Sequence, residues 1–185
     1  MDYRFNVTFS SPFDTFTIVW KETGSDLQVI RIFLSDPELK SEIKALESFK
    51  QIKLESSSSI ELLGEKIQRF FKGEKVDFDL GLLDFNQCFD IQKKVLLAEY
   101  AIPRGWVSTY KRIAGKVGIP TGARVVGNAL ARNPFPIIIP CHRAIKTNGD
   151  LGGFQGGIKM KRRLLELEGI EFSEKEKVIT DRIYY

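Results

Sequence analysis

The hydrophobic residues of positions 3–34 are concentrated in short runs separated by polar segments. Runs rich in β-branched and aromatic residues predict three strands, at Tyr3–Phe9, Thr15–Trp20 and Leu27–Leu34. The polar segment 22–25 supplies the turn between the last two strands. The pattern therefore predicts a small sheet at the start of the chain.

A helical period follows the strands. Asp36-Pro37 is typical of a helix start, with a capping residue and then proline at the first position. The apolar face of this helix would carry Leu39, Ile43 and Leu46. A second helix is predicted through about Phe71, and the alternation over Val76–Leu80 predicts another strand. Nothing in residues 1–85 has catalytic spacing, so we interpret them as a scaffold domain.

From residue 86 the pattern changes to short helices with tight connections. One helix is predicted around Ile91–Ala98, a second capped by Ser108 or Thr109, and a third over 122–132 capped by Thr121. The second and third outline a helix-turn-helix. A last helix over 158–168 has an apolar and a polar side. The apolar side carries Met160, Leu164, Leu165 and Leu167, and the polar side Lys159, Lys161, Arg162 and Arg163.

Together these elements predict an α+β protein. A small mixed α/β N-terminal domain spans 1–85, and a mostly helical C-terminal domain with a winged-helix-like helix-turn-helix unit spans 86–172, followed by a tail over 173–185. The net charge of +4 is consistent with nucleic-acid contact without proving it. No apolar run approaches a membrane span, and the start lacks a secretory signal pattern, so a reducing cytosolic setting is expected.

The segment Pro134–Arg143 is the strongest candidate for chemistry. Its proline-bounded apolar run delivers Cys141 and His142, the only histidine of the chain, to one point. A cationic neighbourhood lowers a thiol pKa, and His142 and Arg143 are residue types that an activated cysteine needs. In an extended run His142 would reach the sulfur only across a bend or through a water. The alternative is a buried, inert cysteine. Two cysteines and one histidine fall short of a zinc site.

Two further features surround this segment. Ala123, Gly127 and Ala131 recur every fourth residue and form a small-residue face on the third helix, which predicts either packing against the core or a helix laid in a nucleic-acid groove. Basic residues available for phosphates are Arg124, Lys111, Arg112, Lys116 and Arg132. The glycine-rich stretch 148–157 is either a flexible linker or a pocket wall on which a planar ligand stacks against Phe154.

The chain resembles the O6-methylguanine-DNA methyltransferase family over about 91–169. The motifs are Ile-Pro-Cys-His-Arg, the following Gly-Gly-Phe-Gln-Gly-Gly, the upstream Arg-Asn-Pro and a final Leu-Glu-Gly. The resemblance implies direct-reversal DNA repair, in which Cys141 takes the alkyl group from O6-alkylguanine once and irreversibly, and less certainly from O4-alkylthymine. It implies no metal and no cofactor.

The resemblance also implies residue roles. His142, through a water, would take the thiol proton while Glu168 holds the imidazole, and Tyr110 would supply a hydrogen bond or proton as guanine leaves. Arg124 would fill the gap left by the flipped base, and Asn133 would tie the groove-binding helix to the site. The small-residue face would lie in the minor groove. The base pocket would comprise Pro136, Arg143, Ala144, Phe154, Gln155 and Gly156. Without the resemblance, an ordinary surface glutamate is the commoner explanation of Glu168, and the alternative is a third member of a Cys-His-Glu relay that orients His142.

The expected partner is double-stranded DNA containing O6-alkylguanine, bound by a monomer with no membrane association. The expected location is cytoplasmic on the nucleoid, or nuclear in a eukaryote. Two alternatives stay open: a cysteine hydrolase or acyl-transfer enzyme using Cys141 and His142, and a lesion-binding module that flags damage without repairing it. Two positions depart from the family pattern: Ala144 replaces a common Val or Ile, and Phe154 a common tyrosine.

Overall fold

The computed structural model describes residues 4–24 and 26–185. Tyr3 and Ser25, which belong to a predicted strand and a predicted turn, lie outside the described residues. The chain packs as two compact units. The first comprises the residues up to Gln87 together with Pro134–Ile138, and the second comprises Cys88–Asn133 and Ile139–Tyr185. The boundary therefore falls two residues after the predicted one, and part of the apolar run before Cys141 belongs to the first unit.

A four-stranded sheet forms the first unit, in the order β3-β2-β1-β4. The strands are β1 (Arg4–Ser11), β2 (Asp14–Thr23), β3 (Asp26–Leu34) and the short β4 (Lys53–Leu54). β1, β2 and β3 pair antiparallel in sequence order, and β4 pairs parallel to β1. The three predicted strands are confirmed, and their β-branched and aromatic residues supply much of the buried core of this unit, with Phe16–Trp20 of β2 buried on both faces.

The helices of the first unit are α1 (Ser41–Ser48) and α2 (Ser58–Phe71). The prediction for α2 is confirmed, and the Ser57 side chain caps it by accepting from Ile60 N. The predicted start of α1 at Asp36 is wrong, because Asp36 Oδ1 accepts from the backbone of residues 38 and 39 in a turn that precedes the helix.

The predicted apolar face of α1 is also wrong. The helix buries Ser41 and Ala45 and leaves Ile43 and Leu46 exposed. The buried Ser41 hydroxyl hydrogen-bonds to Thr17 at 2.9 Å, so a polar side chain holds this helix to the sheet. The predicted strand over 76–80 does not form.

The second unit contains four helices and two pairs of short strands, and two of the helices carry the predicted helix-turn-helix. Thr109 caps the first helix of that pair through Arg112 N, as predicted, whereas Thr121 does not cap the second, where Gly122 occupies the N-cap. The helices are α3 (Asp90–Tyr100), α4 (Tyr110–Lys116), α5 (Ala123–Ala131) and α6 (Gly157–Leu167). The short strands are β5 (Ser108–Thr109) parallel to β6 (Ala144–Ile145), and β7 (Glu171–Phe172) antiparallel to β8 (Val178–Ile179).

The predicted tail is an integral part of the second unit. β8 lies within it, and Val178 N donates to Gly149 O at 3.0 Å. Near the end of the chain Tyr184 N donates to Val107 O at 2.8 Å. The backbone groups of a solvated tail would bond to water, whereas those of Val178 and Tyr184 are hydrogen-bonded within the second unit. Among the described residues, no helix has the length and apolar character needed to cross a bilayer.

Candidate active site

Cys141 lies at the start of a short 3-10 turn that spans Cys141–Arg143. The apolar run before it is not an extended strand, since Ile137 has a φ of 76°, in the left-handed region that a β-branched residue rarely adopts. Successive side chains of a 3-10 turn diverge by about 120°. The thiol, the imidazole and the guanidinium of Cys141, His142 and Arg143 therefore point in three directions from adjacent positions.

The Cys141 thiol is buried, with 5% of the residue exposed. Burial raises its pKa to about 11, and the Glu99 charge adds to this rise. A hydrogen bond with the Asn133 side chain and the charge of Lys161 act in the opposite direction. The surroundings of Cys141 therefore favour the neutral thiol at pH 7, whereas the sequence predicted an activated one.

His142 and Arg143 meet on one carboxylate, that of Glu168. His142 Nε2 lies 3.0 Å from Glu168 Oε1. Arg143 Nε donates to Glu168 Oε2 at 2.9 Å and Nη2 donates to Oε1 at 2.8 Å, a bidentate pair. The Arg143 charge is thus directed at Glu168 rather than at the thiol. We call His142, Arg143 and Glu168 the Glu168 cluster.

Glu168 sits at the C-cap of α6, where the helix dipole disfavours a carboxylate. The protein compensates with donors, including Gly105 N at 3.3 Å from Oε2. Gly105 has a φ of 76°, and a Cβ there would lie 3.1 Å from Glu168 O, so glycine fits this close approach. His142 and Arg143 hold the pKa of Glu168 well below its usual range despite burial. Burial lowers the pKa of His142, which is therefore a neutral base beside an ionised carboxylate.

Tyr110 begins α4 and lies against the glycine-rich stretch. A Cβ built at Gly152 would come within 2.5 Å of the Tyr110 hydroxyl oxygen, and Gly152 has a φ of 70°. Burial raises the pKa of Tyr110 to about 12, and Glu99 and Cys141 contribute to the rise. The phenol is therefore a neutral donor at physiological pH.

Two buried charged residues near the site, Glu99 and Lys161, are absent from the sequence-based site. The prediction that Lys161 lies on the polar side of α6 is wrong, because it is fully buried and its ammonium donates to Ala144 O at 2.6 Å and Gly153 O at 3.2 Å. Burial lowers its pKa to about 8. Glu99 is also fully buried, on α3. We call Glu99, Lys161 and Tyr110 the Glu99 cluster.

The positions of Lys161 and Glu99 in the sequence indicate that both side chains are buried. Lys161 is three and four residues before Leu164 and Leu165, and Glu99 is four residues after Val95, so each lies on the apolar face of its helix. Charged residues at such positions are buried only where polar partners or a function retain them.

A cavity of about 430 Å³ adjoins Cys141. The glycine-rich stretch forms one wall, as the pocket interpretation predicted, and the small-residue face forms another. The lining residues are Tyr110, Ala123, Gly127, Leu130, Ala131, Cys141, Lys146, Gly152, Gly153, Phe154 and Gln155. A Cβ at Gly127 would meet no atom within 4 Å in the described part of the chain. The small-residue face therefore borders open space rather than the core.

Several predicted pocket residues do not line this cavity. Arg143 turns to Glu168, and the carbonyl of the buried Ala144 accepts from Lys161. Gly156 lies under Met160, whose sulfur occupies the space that a Cβ there would need. Pro136 is buried in the segment assigned to the first unit.

Asn133 links the end of α5 to the site by direct hydrogen bonds. Its side-chain Nδ2 donates to Ile139 O at 3.1 Å, and its carbonyl accepts from Gln155 Nε2 at 2.6 Å. The Phe154 ring meets the His142 ring edge-on, with centroids 6.3 Å apart. The cavity wall, the histidine and the helix end are therefore fixed relative to one another.

The predicted phosphate-contacting side chains are exposed: Arg124, Lys111, Arg112, Lys116 and Arg132. Two of them also contact the last residue. Arg112 donates to the Tyr185 carbonyl, and the Lys116 ammonium lies 5.0 Å from the centroid of the Tyr185 ring. Arg124 is at the start of α5, next to the small-residue face.

The protein-family model for the 6-O-methylguanine DNA methyltransferase DNA binding domain matches residues 90–170. The chain is 46% identical over 127 residues to the methylated-DNA–protein-cysteine methyltransferase of Methanothermobacter thermautotrophicus, covering 68% of this chain and 71% of that protein. A protein of the same name from Mycobacterium tuberculosis is 44% identical over 104 residues, which cover 56% of this chain and 62% of that protein.

Solved structures extend the similarity to most of the chain. The crystal structure of Mycobacterium tuberculosis OGT in complex with DNA has a TM-score of 0.70 and 32% identity, covering 89% of this chain and 93% of that chain. The O6-methylguanine-DNA methyltransferase of Pyrococcus kodakaraensis has a TM-score of 0.66 and 25% identity, covering 90% and 99%. The chain therefore belongs to the methylated-DNA–protein-cysteine methyltransferase family.

Proposed function

We propose that this protein repairs DNA directly by transferring the alkyl group of O6-alkylguanine to Cys141 in a single, irreversible turnover. The observation that carries the proposal is the thiol of Cys141 at a cavity bordered by the small-residue face, beside a neutral histidine and an ionised glutamate. Methyl is the simplest alkyl group, and O4-alkylthymine is a second, weaker substrate in the proposal.

The first step is activation of the thiol. The neutral His142 imidazole takes the Cys141 proton through a water, and the ionised Glu168 stabilises the imidazolium that forms. Burial raises the pKa of the Cys141 thiol, so a base is needed to form the thiolate at neutral pH.

The second step is in-line displacement at the alkyl carbon. The thiolate electron pair forms the sulfur–carbon bond while the carbon–O6 bond breaks and its electrons remain on guanine. Tyr110 donates to the departing base, for which a neutral phenol at the cavity is suited. Guanine takes its proton from Tyr110, and the proton that His142 took from the thiol restores the Tyr110 phenol through solvent. The products are an S-alkylcysteine and an unmodified guanine, with His142 and Tyr110 neutral again.

DNA is held by the helix-turn-helix in this proposal. The small-residue face of α5 lets a minor groove approach the backbone, and Arg124 fills the space left by the flipped nucleotide. Base flipping costs a few kcal/mol of unstacking, which an inserted planar cation partly offsets. Phe154 and Gln155, which line the cavity, shape the site for the base. The protein acts on DNA as a monomer, on the nucleoid or in a nucleus.

Turnover separates this function from the alternatives. Limiting protein is incubated with excess duplex containing one O6-methylguanine, and the remaining lesion is quantified by nucleoside chromatography. We expect the loss of one lesion per protein molecule and then no more. Continued loss would indicate a hydrolase, and tight binding without loss would indicate a lesion-binding module. Cys141→Ser should bind without repair, while Cys88→Ser is the matched control that repairs normally.

The role of Arg124 is tested by charge-matched variants. Arg124→Ala should weaken duplex binding and slow transfer by tenfold or more, because the flipped state loses its inserted cation. Lys72→Ala removes the same charge from an exposed position in the first unit and should change transfer little. Equal transfer by both variants would contradict the assignment of Arg124.

A further inference from the structure

Glu99 is a buried acid that the proposed mechanism does not use. It is fully buried on α3, and neither carboxyl oxygen has a hydrogen-bond partner in the described part of the chain. Its neighbours on the buried face of α3 are the apolar Val95, Leu96 and Ala98. A carboxylate in such surroundings is costly, so the group is kept protonated unless a cation compensates it.

The two cations that act on Glu99 differ in the groups to which they donate hydrogen bonds. Arg143 and Lys161 both act on Glu99 electrostatically. Arg143 is committed to the bidentate pair with Glu168. Lys161 donates to two neutral carbonyls and to no carboxylate among the described residues. Its charge is therefore available either to an ionised Glu99 or to a Cys141 thiolate.

The remaining ionisable groups near Glu99 are neutral acids. Tyr110, Cys141 and Tyr185 each have a pKa that the Glu99 charge raises. α3 packs against α4, α5 and the turn that carries Cys141. The buried residues of α5 are apolar: Val126, Ala129 and Leu130. Glu99 and Cys141 thus compete for one uncommitted cation.

We propose that Glu99 is a positioning residue that acts through Lys161 and sets the fraction of Cys141 present as thiolate. When the Glu99 carboxyl is protonated, the Lys161 charge stabilises the thiolate. When Glu99 is ionised, it neutralises Lys161 and repels the sulfur anion. This inference rests on the proposed function, because its consequence for repair requires Cys141 to be the alkyl acceptor.

The competition predicts a specific pH dependence. Burial raises the pKa of Glu99 to about 8, so the carboxyl is protonated at pH 7 and half ionised at pH 8. Burial also lowers the pKa of Lys161 to about 8, so the competition operates only up to about pH 8, where Lys161 still carries its charge. Within this coupled group Glu99 loses its proton before Cys141 does. Transfer should therefore rise less steeply between pH 7 and pH 8 than ionisation of the thiol alone would give.

The test compares single-turnover transfer from pH 6.5 to 9.5 for the wild-type protein and Glu99→Gln. Below pH 7 the two rates should converge, and at pH 8 the variant should be faster by about twofold, since half of the acid is ionised at its pKa. Glu99→Leu, which removes the polar group altogether, should match Glu99→Gln. Glu99→Asp keeps the carboxyl and should retain the wild-type profile. Parallel profiles, or a uniform loss of rate, would overturn the proposal.

A second readout is independent of repair. In a Cys88→Ser background, the rate of Cys141 alkylation by iodoacetamide is followed against pH by peptide mass spectrometry. Glu99→Gln should raise this rate by the same factor at pH 8. An altered alkylation profile without any methyl transfer would refute the proposed function while supporting the role of Glu99. Unaltered alkylation would refute the role of Glu99 whatever the transfer assay gives.

Discussion

Glu168 and Glu99 are both buried carboxyl groups of the second unit, yet their surroundings give them opposite properties. Glu168 accepts from Arg143, His142 and Gly105, and its pKa lies well below the usual range. Glu99 accepts from no described residue, and its pKa is raised to about 8. Burial acts in the same direction on both, so the number of donors decides the outcome.

One small site therefore holds two kinds of carboxyl group: Glu168 is ionised at pH 7 and Glu99 is protonated. The Glu168 cluster holds a permanent charge that orients His142 and stabilises its protonated form. The Glu99 cluster holds a proton that leaves within the physiological pH range. A group of the first kind suits a fixed framework, and one of the second kind suits adjustment of a neighbouring nucleophile.

The largest expected effect comes from removing the acceptor of the Glu168 cluster. Glu168→Ala leaves the buried Arg143 charge unpaired and should lower the free energy of unfolding by about 3–5 kcal/mol at pH 7, measured by urea denaturation. Because folding lowers the pKa of Glu168, this stabilisation is present above its usual pKa and should diminish as the pH falls below about 4.

Glu166→Ala is the matched control on the same helix. Its partners Arg162 and Arg163 are partly exposed, so its loss should cost at most about 1 kcal/mol. Equal destabilisation by the two variants would show that the Glu168 cluster is not a special stabilising feature.

The opposite sign is expected for the Glu99 cluster. Folding raises the pKa of Glu99 from 4.5 to about 8, so the unfolded chain loses this proton at a lower pH than the folded protein. Wild-type stability should fall across that window, and Glu99→Gln should be more stable by about 2–4 kcal/mol at pH 8 and by little at pH 4.5. The measurement is the urea midpoint against pH. A stability difference between the two proteins that does not change with pH would contradict the raised pKa of Glu99.

A smaller effect is expected where the Glu99 cluster meets the cavity. Gly152→Ala places a methyl group against the Tyr110 hydroxyl at a residue with positive φ, and should cost about 1–3 kcal/mol and slow transfer about tenfold. Gly153→Ala is the adjacent control, since a Cβ there meets no described atom within 4 Å. Similar rates for the two variants would show that the position of Tyr110 does not limit transfer.

The sequence predicted these regions unequally. Strong local signals were sufficient for the three strands, for α2 and for the Thr109 cap. The start of α1 was missed because Asp36 caps a turn instead of a helix, a local alternative with the same residue signal. The strand predicted over 76–80 failed because alternation alone supplies no pairing partner.

The sequence predicted those site residues that are adjacent along the chain. It missed the residues that reach the site only through tertiary contacts. Cys141 and His142 stand together in the sequence, and the structure brings Glu168 to His142 as expected. Lys161 was predicted on the polar face of its helix because lysine is usually exposed, although its spacing places it on the apolar face. Its ammonium is buried because it donates to the carbonyls of Ala144 and Gly153, contacts that the sequence does not show. The high pKa of Cys141 arises from burial, which no local pattern records.

The role of Cys141 as alkyl acceptor is tested most directly by the intact mass of the protein before and after incubation with a duplex containing one O6-methylguanine, followed by peptide mapping. We expect a stoichiometric gain of a single methyl group on the peptide that contains Cys141, and this gain should be stable to further incubation. An unchanged mass with the lesion consumed, or a methyl group on another residue, would contradict it.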